Sequence, residues 1–173
     1  VAVIFDFWVF SLSVGRWGGV GLQALGYAAD VFPILIFSPG TVRSLSASAS
    51  QIALGAVFVL AAVIYAVATR LYPHDLAENI IGYVVTGICE ELSFRGFIWE
   101  RTRLSGFDPA RLIAVNVIAF TAWHLVSVAA GDSGWSNLIG IACFGTVASI
   151  VRLRAANTGL PALLHMAVDI AGV

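Results

Sequence analysis

Lysine is absent from this chain, and all nine basic residues are arginine. Charge of either sign is scarce: 11% of the 173 residues are Asp, Glu, Lys or Arg, where a soluble domain carries about 25%. The formal net charge is -1, so nothing supports a nucleic-acid partner or an acidic one. Cysteine is nearly absent. Cys89 and Cys143 both lie in apolar runs, and their spacing supports neither a disulfide framework nor a zinc cluster. Both read as small core hydrophobes. The first residues lack a basic region and a small-residue cleavage site, so no signal peptide is expected. The missing initiator Met and the apolar last residues suggest a processed, trimmed or partly covered protein.

What the chain has in abundance is apolar residues, 60% of the total, with a mean hydropathy of +0.94. That composition is expected of an integral membrane protein, here a single domain over residues 1–173 with its motif-bearing core at about 78–173. Apolar runs near 1–14, 18–37, 50–71, 78–100, 110–130, 135–151 and 158–173 have the lengths of full or partial membrane helices. None alternates with a period of two, which argues against a membrane barrel. The expected fold is all-α, a polytopic bundle of six to seven transmembrane helices. Arg43, then Arg101, Arg103 and Arg111, then Arg152 and Arg154 fall on one side, so the breaks 38–49, 101–109 and 152–157 are expected to be cytoplasmic and the chain to end on the other side. Trp8, Trp17, Trp99 and Trp135 stand near expected helix ends, where aromatic belts form.

Against this background the stretch Cys89-Glu90-Glu91-Leu92-Ser93-Phe94-Arg95 stands out. A charge at membrane depth costs roughly 2.5–3.5 kcal/mol on insertion-based scales. Three such charges must face protein or a water-filled cavity. Glu90 and Glu91 point about 100° apart on a helix, so they have different tasks. Glu91 and Arg95 are spaced as an ion pair along one face. Glu90 then needs a partner from another helix. His124 on 110–130, and His165 with Asp169 four residues later on 158–173, can supply it.

A carboxylate and two imidazoles meeting in a dry interior can activate water. Glu90 and His124 can hold a water and take its proton. His165 can donate to an oxygen that becomes negative, with Asp169 fixing its tautomer. Each residue also has a plain structural reading. Glu91 and Arg95 can be a helix-stabilising pair, a lone His can be an interhelical donor, and Asn116 reads as an interhelical hydrogen bond. Phe120 reads as packing that keeps a site dry. His74, Asp75 and Glu78 read as a solvated loop and helix start.

The series Glu90-Glu91-Leu92-Ser93-Phe94-Arg95, then Phe120 through His124, then His165 through Asp169, resembles the motifs of the CAAX protease and bacteriocin-processing family, also called Abi. That family includes the type II CAAX prenyl endopeptidases. The likeness covers roughly residues 86–170. It implies a glutamate-type intramembrane endopeptidase, with Glu90 and His124 activating water, His165 and Asp169 on the oxyanion side, and Glu91 and Arg95 in support. It implies no metal and no other cofactor. The implied partners are membrane lipids and a membrane-associated protein or peptide substrate, in a prokaryotic cell membrane. Prenyl endopeptidases usually carry Asn where this chain has Asp169. An ionised carboxylate cannot donate to an oxyanion, so Asp169 either orients His165 or is protonated. Two other readings stand beside this one: a non-catalytic scaffold or immunity protein of the same fold, and an ion-coupled transporter.

Overall fold

A computed structural model describes residues 38–72, 76–131 and 133–172, together with Val31, Phe32 and Ile34. The expected segment 1–14, most of 18–37, and the residues Trp8, Trp17, His74, Asp75 and Asp132 lie outside the described residues. The fold is an all-α helical bundle, with no strand among the described residues. Its elements are α1 (Pro39–Arg43), α2 (Ala49–Thr69), α3 (Leu76–Glu91), a π-helical segment (Leu92–Ile98), α4 (Trp99–Leu104), α5 (Pro109–Ala130), α6 (Asn137–Ala155) and α7 (Gly159–Ala171).

Local chemistry sets the helix starts. Ser48 and Gln51 form a reciprocal capping box at α2: the Ser48 hydroxyl accepts from the Gln51 amide, and the Gln51 side chain accepts from the Ser48 amide. Asp108 caps α5, with Pro109 at the first helical position. Three helices are long and apolar enough to cross a membrane: Ala49–Thr69, Pro109–Ala129 and Asn137–Ala155. Many of their large apolar side chains are exposed on the bundle surface, for example Val57, Leu60, Ile64, Ile118 and Ile139. A chain that meets lipid there loses nothing by that exposure.

α7 is different. At 13 residues it is roughly 20 Å long, too short to cross alone. It is the core helix, with Leu160, Pro161, Ala162, His165, Met166, Ala167 and Ile170 buried. α2 and α3 both pack along it, α6 meets it, and α5 packs along α6. Gly87 makes the α3–α7 approach possible, because a Cβ there would stand 3.0 Å from Met166 Cγ and 3.2 Å from its backbone nitrogen. Ala62 and Ala66 of α2 close on Ala167 and Ile170 from the other side.

The expected helix 78–100 is longer and interrupted. It runs from Leu76 to Leu104 with a π-helical segment in its centre. Ser93 contributes to the break by donating its hydroxyl to the Cys89 carbonyl at 2.9 Å, a back-bond that competes with regular helix geometry. The expected segment 135–151 extends to Ala155, so Arg152 and Arg154 sit in the last turn of α6 instead of a loop, where cations suit the helix dipole. Trp99 is buried at 3% exposure rather than lying in an aromatic belt, whereas Trp135 is exposed.

The segment 38–48 seals the arginine-rich end. Ser44 and Thr158 share a hydroxyl–hydroxyl hydrogen bond of 2.7 Å, and the Thr158 amide donates to the Ser44 carbonyl. Asn157 donates to the Gln51 side chain at 2.9 Å. The turn into α7 is thus buried beneath the start of α2.

Candidate active site

Glu90 and Glu91 are the last two residues of α3, and Arg95 lies in the π-helical segment that follows. Arg95 is fully buried. Its Nη1 donates to Glu91 Oε1 at 2.8 Å and its Nη2 to the Gly145 carbonyl of α6 at 3.2 Å. The guanidinium lies over the Phe120 ring, 4.2 Å from its centroid. Charge pairing, hydrogen bonding and a cation–π contact therefore act on one side chain, which a lone buried cation requires.

The backbone at Arg95 is held as firmly as the side chain. In an α-helix the Trp99 amide would donate to the Arg95 carbonyl. Here it donates to the Phe94 and Gly96 carbonyls. The Arg95 carbonyl instead accepts from Arg152 Nε at 3.0 Å and from the Thr158 hydroxyl at 3.4 Å. The Arg152 guanidinium lies 5.7 Å from the Trp99 ring centroid.

Four side chains from three helical rods converge on Glu90 and Glu91. His165 Nδ1 donates to Glu91 Oε1 at 2.9 Å. The other ring nitrogen, Nε2, is 3.8 Å from Glu90 Oε2 and 3.6 Å from Asp169 Oδ2. His124 Nε2 is 3.9 Å from Glu90 Oε2. His124 Nδ1 is 2.8 Å from the Phe120 carbonyl. A carbonyl only accepts, so Nδ1 carries the proton, and a neutral His124 presents the bare Nε2 toward Glu90. The Glu90–histidine distances are too long for direct hydrogen bonds. They suit a single oxygen atom at roughly 2.8 Å from two of these groups at once.

Aromatic rings wall this point. Phe120 is 1% exposed and packs on His124 and His165, with centroid distances of 4.6 and 5.8 Å. Phe144 lies 4.8 Å from His165, and Phe94 meets Phe120 edge-on at 5.2 Å. Exposure is graded across the polar set. The Glu91 and Arg95 side chains are sealed, those of Glu90 and His165 nearly so, and His124 and Asp169 retain 22%. Among the described residues, no group of three or more His, Cys, Asp and Glu side chains is arranged to hold a metal ion.

All six residues singled out in the sequence meet in one place. The Glu91–Arg95 pair forms at the spacing expected of it. The orienting hydrogen bond on His165 comes from Glu91, while Asp169 stands on the opposite side of the ring at a longer distance. Asn116 is buried, and among the described residues its amide donates within its own helix, to the Leu112 carbonyl at 3.1 Å, rather than between helices. Sequence reasoning missed Arg152, Thr158 and Phe144. Arg152 falls in the break 152–157 and Thr158 opens the apolar run 158–173, so neither stands out as a partner of Arg95. Phe144 is one of many apolar residues on α6, and no signal distinguishes it.

A family model described as type II CAAX prenyl endopeptidase Rce1-like matches residues 72–171, more than half of the chain. The chain belongs to this family. The Rce1-like region includes all of α3 to α7 and therefore every residue of the converging set. Membership of this family of intramembrane CAAX-type proteases, together with the long apolar helices, makes the chain an integral membrane protein. No curated protein and no solved structure matches the chain.

Proposed function

We propose that this chain is a glutamate-type intramembrane endopeptidase that hydrolyses a peptide bond of a membrane-associated protein or peptide, in a prokaryotic cell membrane. The observation that carries the reading is the position of Glu90 Oε2, 3.9 Å from His124 Nε2 and 3.8 Å from His165 Nε2, inside an aromatic wall. A water bound between Glu90 and His124 donates one hydrogen to each and turns a lone pair toward the substrate carbonyl. Glu90 takes the proton as the carbon–oxygen bond forms, then passes it to the departing amine. General acid–base catalysis of this kind contributes about 10²–10⁴-fold.

The carbonyl oxygen becomes negative in the same step. His165 donates to Glu91 through Nδ1, so the doubly protonated ring turns its Nε2–H to the developing charge. Asp169, in its acid form, is a second donor on the same side of the ring. Glu91 and Arg95 position His165 rather than touch substrate. A substrate helix must unwind locally, because a helical carbonyl is already hydrogen-bonded. The carboxyl at 169, where prenyl endopeptidases usually carry Asn, favours a peptide or membrane-protein segment over a prenylated CAAX protein. The arginine-rich end, with Arg43, Arg101, Arg103, Arg111 and Arg154, is the cytoplasmic one.

The test compares membranes of cells producing the parent or Glu90→Gln at equal levels, scored for new peptide termini. Termini present with the parent and absent with Glu90→Gln are expected, and they identify the substrate. The same termini in both membranes would refute the reading. Cleavage by the purified protein is expected to survive a strong chelator, with no gain from added zinc. Loss on chelation with rescue by zinc would assign the water to a metal instead.

A further inference from the structure

Behind the converging carboxylates lies a second polar set that the proposed chemistry does not use. Three side chains at the junction of the π-helical segment, α5 and α6 are fully buried: Arg95, Asn116 and Ser149. Among the described residues, each keeps one buried polar atom without a hydrogen-bond partner: Arg95 Nε, Asn116 Oδ1 and Ser149 Oγ. Isolated buried polar atoms are rare in proteins, and three on adjoining faces call for a common partner.

The packing register brings them together. On α6, Arg95 is bracketed by Gly145, which accepts from its Nη2, and by Arg152, which donates to its carbonyl. Ser149 lies between these two at spacings of four and three residues, hence on the same helix face, turned to Arg95. On α5, Phe120 lies under the Arg95 guanidinium, and Asn116 is one turn away. α5 and α6 run antiparallel and pack along each other. The step from Phe120 to Asn116 and the step from Gly145 to Ser149 therefore lead in the same direction, toward the arginine-rich end. That register puts Asn116 and Ser149 one turn from the two residues that hold the Arg95 guanidinium, both on its arginine-rich side.

We infer that Arg95 Nε, Asn116 Oδ1 and Ser149 Oγ form a buried binding site for one water molecule. The chemistry fits water and little else. Arg95 Nε only donates, Asn116 Oδ1 only accepts, and a hydroxyl does either. A water accepts from the first, donates to the second and completes a third bond with Ser149, the usual number for a buried water. An anion would meet the Asn116 oxygen unfavourably, and a cation would meet the guanidinium. The bound water engages the Nε donor of Arg95, and so steadies the side chain that holds Glu91 against His165. It lies deeper than the candidate active site and is separated from it by the Arg95 guanidinium and the Phe120 ring.

Radiolytic hydroxyl labelling in water tests this on the purified full chain, independently of any proteolysis. A radical formed at a bound water oxidises the side chain next to it, even one sealed from bulk solvent. Phe120 is the reporter, and exposed Phe107 is the surface control. The parent is mixed with ¹⁸O water immediately before the pulse. Phe107 is expected to take up ¹⁸O at once and Phe120 to be oxidised with ¹⁶O, the isotope of a water that has not yet exchanged. Replacing Asn116→Leu and Ser149→Val together is expected to lower Phe120 labelling at least about fivefold and leave Phe107 unchanged. No oxidation of Phe120 in the parent would overturn the inference, as would ¹⁸O uptake at Phe120 as fast as at Phe107. Both of these are read on the parent alone, whether or not the double variant folds. Phe120 labelling unchanged in a folded double variant would assign the water to the active site instead and overturn it too.

Discussion

At the scale of single residues, Glu91 and Arg95 carry the arrangement although neither faces the reacting point. Glu91 Oε1 accepts from both Arg95 and His165, so one carboxylate oxygen ties the π-helical segment to α7. Removing one member of a buried pair leaves the other charge uncompensated. Arg95→Met is expected to destabilise the protein by about 3–5 kcal/mol, measured by unfolding in detergent. The double variant Arg95→Met with Glu91→Leu should recover part of that loss, and no recovery would show that the pair is not the source. At Asp169 the expected outcome separates donor from orienting group. Asp169→Asn keeps a donor and should retain activity within about tenfold, whereas Asp169→Leu should lose about 10²–10³-fold. Equal losses in the two variants would make Asp169 a charge partner of His165. The Glu91–Arg95 pair and the His165–Asp169 spacing were legible because both are intrahelical. The Glu91–His165 bond was not, since 74 residues separate its ends and only packing brings them together.

At the scale of elements, the decisive feature is the π-helical segment Leu92–Ile98. It withholds the Trp99 amide from the Arg95 carbonyl and opens that carbonyl to Arg152 and Thr158. Arg152→Met should cost about 1–3 kcal/mol, the penalty for orphaning a buried acceptor. It should also lower the cleavage rate without weakening substrate binding, because the segment places Glu90, Glu91 and Arg95. A change confined to substrate binding would put Arg152 at the substrate instead. Gly87→Val would force a Cβ against Met166 and is expected to cost about 1–3 kcal/mol by overpacking α3 on α7. An unfolding midpoint equal to the parent's would contradict that close approach. Apolar runs marked α2, α5, α6 and α7 to within a few residues. The π-helical segment left no trace in periodicity. Its stabilising partners lie on α6 and in the turn before α7, and a short stretch of altered winding does not disturb an apolar pattern. α1 was invisible for a related reason: five residues around Pro39 read as loop.

At the scale of the whole molecule, three lipid-facing helices and a rod broken by charge surround a short core helix that cannot span a bilayer by itself. Composition alone made the membrane class legible, and the buried charges located the site. What composition could not give was the direction of sealing. The segment 38–48 closes the arginine-rich end over the turn into α7, and the residual exposure of the site lies at His124 and Asp169. The central claim is that Glu90 and His124 hand a water directly to a peptide carbonyl. Single-turnover cleavage of the identified substrate in ¹⁸O water tests it most directly. One ¹⁸O atom in the new carboxyl terminus and none in Glu90 is the expected result. An unlabelled first product, with ¹⁸O in the Glu90 side chain, would show a covalent glutamyl intermediate and contradict the claim.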